Sequence, residues 1–366
     1  MEFRNNNQGL PGAILFYRLP GISMNRYANP DIGWEVSTKN NYAIEMGFWD
    51  DKLNIIAEYF TEYRDNILMG RASIPSTMGL SAGVQANLGA ASGKGVDVSL
   101  EYQQSFDNNF WASARANYTF ARSKYEVFEE PAYKYEWRYR TGRYINQRYG
   151  YIAERLFVDD EEVANSPRQE LGDEIVRGGD IKYTDINGDG VINGDDIVPF
   201  ESTSMPEVVY GFGFSLGYKN FDLSAFFQGQ TNVAFNIDAS NTTPFNNQTQ
   251  LLQAYADSHW SEDNQNVYAL YPRFSTYVHP NNAVGSTWWE RDGTFLRLKT
   301  LEFGYTLPKK LALQKKLRVD NCRFYVNGMN LLLFSKFKLW DVEMGGSGIG
   351  YPLQRVFNIG LNITFN

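Results

Sequence analysis

Residues 185–196 read DINGDGVINGDD, and their oxygens are spaced as a hard-cation loop requires. Counting Asp185 as the first position, side-chain oxygens come from Asp185, Asn187, Asp189 and Asn193. The seventh position offers the Val191 carbonyl, and Asp196 closes the loop. Calcium takes about six to eight oxygens in such a loop, with glycine at the sixth position for the sharp turn. Gly190 stands there. Asp196 is one methylene shorter than the usual glutamate, so closure with both its oxygens needs a tighter loop. Calcium is therefore the expected ligand of Asp185, Asn187, Asp189, Val191, Asn193 and Asp196. The competing reading is a surface cluster of Asn, Gly and Asp turns.

Other chemistry finds less support. The chain has only two histidines, His259 and His279, and neither has a partner spaced for a zinc site or a catalytic triad. HWSED (259–263) brings His, Ser and Asp together in sequence, which is not the geometry a triad needs. No catalytic residue is assigned, and the expectation is a protein that is not an enzyme. Glu129–Glu130 and the run DDEE (159–162) read as solvated loop charges. KYEWRYRTGRY (134–144) mixes Arg with Tyr and Trp, which suits either a sugar- or partner-binding surface or a loop packed on itself. In TWWERDG (287–293), Trp288 and Trp289 either anchor a membrane interface or line the loops. Cys322 is the one cysteine, so no internal disulfide can form.

The elements that must position these groups are strands. Aromatics make up 16% of the 366 residues, and such residues favour strands and wet–apolar boundaries. Tyr42, Ile44, Met46 and Phe48 alternate on one face, WDDK turns the chain, and Leu53, Ile55, Ala57 and Tyr59 answer. Val96, Val98, Leu100 and Tyr102 share a face; after FDNN, Phe110 to Phe120 alternate with Ser113, Arg115, Asn117 and Thr119. Val208 to Leu216 alternate with Gly211, Gly213, Ser215 and Gly217; after a short turn, Phe221, Leu223, Ala225 and Phe227 alternate with Asp222, Ser224, Phe226 and Gln228. Leu301, Phe303, Tyr305 and Leu307 repeat the pattern, and Phe357 to Phe365 close it. Helical periodicity is confined to two connectors, 248–260 and 308–317.

Roughly ten such strands, many about ten residues or longer, are long enough to cross a bilayer at a tilt. Short turns alternate with long polar stretches over 66–93, 125–205, 230–290 and 335–352. A transmembrane β-barrel is built this way, with short turns at one end and long loops at the other. No run of apolar residues is long enough for a membrane helix. A soluble β-sandwich with one wet face per sheet is the alternative. A net charge of −8 argues against a nucleic-acid surface.

Several stretches taken together resemble the C-terminal half of the barrel in SusC/RagA-type TonB-linked outer-membrane proteins. They are ANPDIGWEVSTKNNYAIEMGF (28–48), GGDIKYTDINGDGVINGDD (178–196), PEVVYGFGFSLGYKNFDLSAFFQG (206–229), WWERDGTFLRLKTLEFGYTLP (288–308), FYVNGMNLLLFSKFKLWDVEM (324–344) and GYPLQRVFNIGLNITF (350–365). They stand in that family's order. The resemblance implies an all-β fold: a transmembrane antiparallel β-barrel of TonB-dependent receptor type, present as a partial barrel with long extracellular loops. Residues 1–366 would be the C-terminal part of that barrel, and 178–205 a loop carrying the calcium motif, which resembles the dockerin-type loop. The implied function is a share in outer-membrane import of oligosaccharide or peptide with a SusD-like surface lipoprotein, powered through TonB. No plug, TonB box or signal sequence is recognisable, so the chain is expected to be a fragment not competent for import alone. The alternative is a calcium-stabilised surface β-sheet module that binds glycan or protein.

Overall fold

The computed structural model describes residues 3–6, 21–106, 109–246, 250–308 and 319–365. Nine strands form one sheet: β1 (Val36–Phe48), β2 (Leu53–Gly70), β3 (Gln85–Phe106), β4 (Phe110–Val127), β5 (Val208–Tyr218), β6 (Phe221–Thr231), β7 (Phe295–Thr306), β8 (Val319–Ser335) and β9 (Val356–Phe365). Their spatial order is their sequence order, so the sheet is an up-and-down meander. β1 and β9 are its outer strands, and among the described residues they do not pair with one another. No described helix is long and apolar enough to cross a membrane, which says nothing about crossing by strands.

Strand lengths exceed what the alternation alone marked. β2 and β4 run 18 residues and β3 runs 22. The expected helical connector at 248–260 shrinks to Gln253–Asp257. The one at 308–317 falls almost wholly outside the described residues. The short turns are as expected: Trp49, Asp50 and Asp51 turn β1 into β2 with positive φ, and Lys219 does so between β5 and β6. Long connections follow β2, β4, β6 and β8.

The chain divides into two compact units. The first comprises residues up to Asn40, Phe60–Lys94 and Arg122–Ile145. Within it, Arg64 pairs with Glu35 and Glu62, and Arg71 with Glu129. The second comprises Asn41–Tyr59, Gly95–Ala121 and Asn146–Asn366.

In the second unit the sheet has two unlike faces. Phe212, Phe214, Tyr218, Phe221, Phe303, Phe324, Val326 and Leu361 stand exposed on one of them. Aromatic rings on that face meet across strands: Phe212 and Phe227 stack at 5.0 Å, and Phe221 and Tyr305 meet at 4.8 Å. Ile359 on β9 is 88% exposed. Fully burying one such side chain is worth about 1.5–3 kcal/mol, so a face this apolar and this bare asks for a non-aqueous neighbour.

The buried core lies in the loops. Leu156, Ile181, Tyr183, Ile192, Ile237, Tyr255, Tyr271 and Trp289 cluster there, joined by Phe337 and Val342 from the connection after β8. All come from long connections, mainly 147–206 and 232–294. These loops are thus folded bodies with their own packing.

Candidate functional site

The loop body is organised around GGDIKYT. Ile181–Tyr183 pairs antiparallel with Ala153–Leu156. Asp180, just before it, is 0% exposed. Its carboxylate accepts from the Arg177 N–H at 2.8 Å and from Asn282 Nδ2 at 2.8 Å, and the Arg273 guanidinium pairs with it at 2.8 Å. A buried charge persists only when its lone pairs are met, and these partners meet them. Gln169 and Asn281 both donate to the Ile181 carbonyl, and the Tyr183 hydroxyl donates to the Asn281 carbonyl at 2.8 Å. Burial pushes the Tyr183 phenol well above its ordinary range and the Tyr271 phenol up to about 12, so both stay neutral.

Lys182 points to a second cluster. Glu162 accepts from Arg155 at 3.0 Å, from Lys182 at 3.0 Å and from the Val158 N–H at 2.9 Å. Burial acts to raise its pKa, but these donors outweigh it and hold the carboxyl down to about 2. Asp159 caps the short helix Asp160–Ala164 by accepting from the Glu162 N–H. Asp159, Asp160, Arg177, Trp260, Glu262 and Arg273 line a groove of about 680 Å³.

The 185–196 loop follows. Asp185 accepts from the N–H groups of Gly188 and Gly190, Asn187 from Asp189, and Asp189 from Val191. Gly190 has φ +83°, the left-handed turn expected of the sixth position. Val191–Ile192 pairs in parallel with Arg168–Gln169. Asn193 caps Gly194–Asp196. Asp196 is 0% exposed and accepts from Ile186, Asn187 and Asn193 N–H groups. No basic side chain among the described residues pairs with it. Three backbone dipoles alone face a buried carboxylate, which suits a site where a cation completes the balance. Among the described residues, however, no three His, Cys, Asp or Glu side chains converge as a metal centre. A calcium ion would therefore draw as much on Asn187, Asn193 and the Val191 carbonyl as on the carboxylates.

The polar face of the sheet carries a network that alternation alone could not assemble. One transverse row, read through the strand pairing, runs Ser113, Ser215, Ser224, Glu302, Asn327 and Asn358. Arg323 bridges Asp222 and Glu302 (2.7 Å to the latter), Asn327 donates to Glu302 at 3.2 Å, and Asn358 donates to Asn327 at 2.9 Å. At Lys299 on β7 and Asn330 on β8 the register shifts. This bulge reverses the alternation, so Arg297 turns onto the polar face, opposite Gln228. Arg297 is 3% exposed and donates to Asp341 at 2.6 and 2.8 Å, with Glu343 also at 2.6 Å.

No family model matches the chain. Among curated proteins, TonB-dependent receptor P26 of Formosa agariphila is 29% identical over 379 residues, covering 94% of this chain and 36% of that protein. TonB-dependent receptor P3 of the same organism is 26% identical over 385 residues, with the same coverage. The chain is homologous to TonB-dependent receptors. It spans a little over a third of the length of those relatives (36%). Among solved structures, the RagAB peptide importer in its open-open state superposes with a TM-score of 0.71 at 19% identity, covering 100% of this chain and 38% of that one. A second RagAB peptide transporter structure gives the same score and identity.

In this TonB-dependent receptor relative, the remaining sequence candidates fall in the loops. Trp289 is 1% exposed and donates to the Asn282 carbonyl at 2.6 Å, so it belongs to the loop core and anchors no membrane interface. His259 stacks on Phe274 at 4.2 Å, with Nδ1 against the carbonyls of Tyr255 and Ala256. Residues 133–140 pack on themselves: Tyr135 stacks on Trp137 at 4.6 Å, and Arg138 lies 5.0 Å over Tyr133. Glu129 pairs with Arg71, and Glu130 accepts from the Arg140 and Thr141 N–H groups, so this carboxylate pair shapes the loop.

Proposed function

We propose that the chain is part of an outer-membrane, TonB-dependent nutrient importer that takes up oligosaccharide or peptide with a SusD-like surface lipoprotein. The observation that carries this reading is the two-faced meander. One face is apolar and bare and the other polar, with long packed loops after alternate strands, in a homologue of TonB-dependent receptors. In lipid every backbone N–H and C=O must be paired within the protein, and long antiparallel strands do this. The apolar face suits hydrocarbon, the polar face an aqueous or protein-filled interior, and the loops a surface that meets cargo and a lipoprotein. Energy would come through TonB by way of parts beyond these strands. Such import moves cargo without chemistry on it.

Membrane fractionation tests the reading. The chain, expressed with its flanking gene sequence, is expected in the outer-membrane fraction, resistant to carbonate extraction. A soluble monomeric product overturns it.

The same loop is proposed to hold calcium through Asp185, Asn187, Asp189, Val191, Asn193 and Asp196, as a staple for the loop body. Calorimetric titration is expected to show one calcium site, lost in Asp196→Asn. No uptake of calcium removes the staple and leaves the importer reading intact.

A further inference from the structure

The apolar face does not stay apolar along the whole of each strand. On β4, Ala116, Tyr118 and Phe120 stand opposite Phe212, Tyr210 and Val208, and so share that face. A side chain's face follows parity along a strand, so Arg122 and Lys124 continue it. On β3, Asp97 accepts from Thr119, which belongs to the polar face, so the even-numbered Val96 and Lys94 take the other one. On β5 and β6 the apolar face carries no charged residue from Val208 to Tyr218 or from Phe221 to Thr231.

Strand length places these cations. A strand tilted across a bilayer needs about 9–11 residues. Counted from its short-turn end at Phe110, β4 has run that far by Phe120. Counted back from Phe106, β3 has run that far by Val96. Arg122, Lys124 and Lys94 come next, on the side of the long connections. They line a cavity of about 550 Å³ with Tyr63 and Tyr144, all within the first unit. Arg122 lies 4.5 Å over the Tyr144 ring and donates to its hydroxyl at 3.1 Å, which holds the guanidinium in place. Lys124 pairs with Glu126 at 3.1 Å, and Ser92 donates to the same carboxylate at 2.6 Å. Glu62 also lines the cavity, but its carboxylate is taken up by Arg64, Lys39 and Ser37. Lys94 is exposed and has no partner among the described residues.

A cation on a lipid-facing strand is costly at the bilayer midplane and nearly free of cost at the interface. Tyrosine suits the interface as well, with an apolar ring and a polar tip. Three cations and two tyrosines just past an apolar span therefore match the phosphate layer of a membrane. We propose that this cavity binds the phosphate of a membrane lipid, whose acyl chains lie against the apolar residues of β3 and β4. Lys94 supplies an ammonium without a protein partner, and Arg122 a second cation positioned by Tyr144. Lys124 contributes less, because Glu126 already holds it. A soluble anion would meet the charges and not the apolar strands, so a lipid is the occupant that uses both. The proposal rests on the importer reading in placing this face in a membrane. Fractionation and lipid binding are separate measurements, so either can fail alone.

The test is native mass spectrometry of the protein, expressed with its flanking gene sequence and held in a neutral detergent. The probes are phosphatidate, diacylglycerol and inorganic phosphate. Phosphatidate is expected to bind saturably. Diacylglycerol, which lacks the phosphate, is expected to bind at least about ten-fold more weakly, since a hydrogen-bonded charge is lost. Inorganic phosphate is expected to displace phosphatidate only in large excess. Lys94→Gln changes an exposed side chain that folding does not need, and is expected to weaken phosphatidate about five-fold. Arg122→Gln is expected to lose about as much, and Lys124→Gln less. Lys219→Gln, in the short turn between β5 and β6, is expected to change nothing. Added salt should weaken phosphatidate and leave diacylglycerol unaffected. No binding of phosphatidate, equal binding of diacylglycerol, unchanged affinity in Lys94→Gln, or an equal loss in Lys219→Gln overturns the proposal. Displacement by inorganic phosphate at matching concentration assigns the cavity to a free anion and overturns the lipid as its occupant.

Discussion

Single side chains in the loops carry more than their share of the order. Asp180 gathers Arg177, Arg273 and Asn282 around a fully buried carboxylate. Replacing it by alanine leaves Arg273 facing no partner there and frees two N–H donors. Breaking a buried pair in this way costs about 3–5 kcal/mol. Asp180→Ala is therefore expected to open the loop body to limited proteolysis at temperatures where the native protein resists. Glu162 makes a pH prediction. Its folded pKa of about 2 lies below the ordinary carboxylate value of 4.5. The stabilisation it brings is fully present above that ordinary value and is lost as pH falls through about 2. Arg155, whose pKa the Glu162 contact raises, stays charged across this window, so the loss belongs to the glutamate. Hydrogen exchange of the 153–183 segment should rise between about pH 4 and 2 in the native protein. In Glu162→Gln that rise should be missing, with faster exchange already at neutral pH.

Elements act through their irregularities. The bulge at Lys299 reverses the faces of β7, while β8 keeps its alternation, and Arg297 is the side chain it delivers. Arg297 ties the connection after β8 to the sheet through Asp341 and Glu343, while Phe337 packs on Phe235 at 5.1 Å and Trp340 at 5.0 Å. Arg297→Met leaves two carboxylates without their cation, with only Lys299 4.0 Å from Glu343. The expected cost is about 3–5 kcal/mol, seen as protease cleavage within 336–350. The double change Asp341→Asn with Glu343→Gln in the Arg297→Met background should recover part of that loss. No recovery would show that the arginine stem, rather than its charge, holds the connection.

At the scale of the whole molecule, the bare apolar face separates a membrane sheet from a soluble one. Val326 on β8 is 50% exposed and pairs with Phe303 and Ile359. An arginine there would cost about 2–4 kcal/mol near a bilayer midplane. On a wet face the same change would fall within about 0.5 kcal/mol. Val326→Arg is thus expected to reduce the folded, membrane-assembled fraction sharply. An unaltered yield of assembled protein would place this face in water. A matching change on the polar face at the exposed Asn117 is expected to be tolerated.

Much of this molecule is local and therefore readable in the chain. Alternation assigned Val208–Leu216 and Phe221–Phe227 to strands with the faces they have, because a side chain's face in a strand depends only on parity. The cation-loop spacing, with Gly190 at positive φ, was equally local. Parity failed where one residue is inserted. The alternation at Leu301, Phe303 and Tyr305 continues backwards to the wrong face for Arg297, because a bulge is defined by the partner strand. TWWERDG and GGDIKYT could be picked out as motifs, but not as the core of one loop body. Asp180 meets Arg273 and Asn282, which lie 93 and 102 positions further along the chain. Arg115 lies 5.2 Å from the Phe226 ring centroid, a stack that needs Gly213 on the strand between them. The sequence by itself determined which residues form strands and which face is apolar, since both follow from near-neighbour periodicity. Only the tertiary structure decided which polar side chains share a site, since that depends on register and on contacts between segments far apart in the chain.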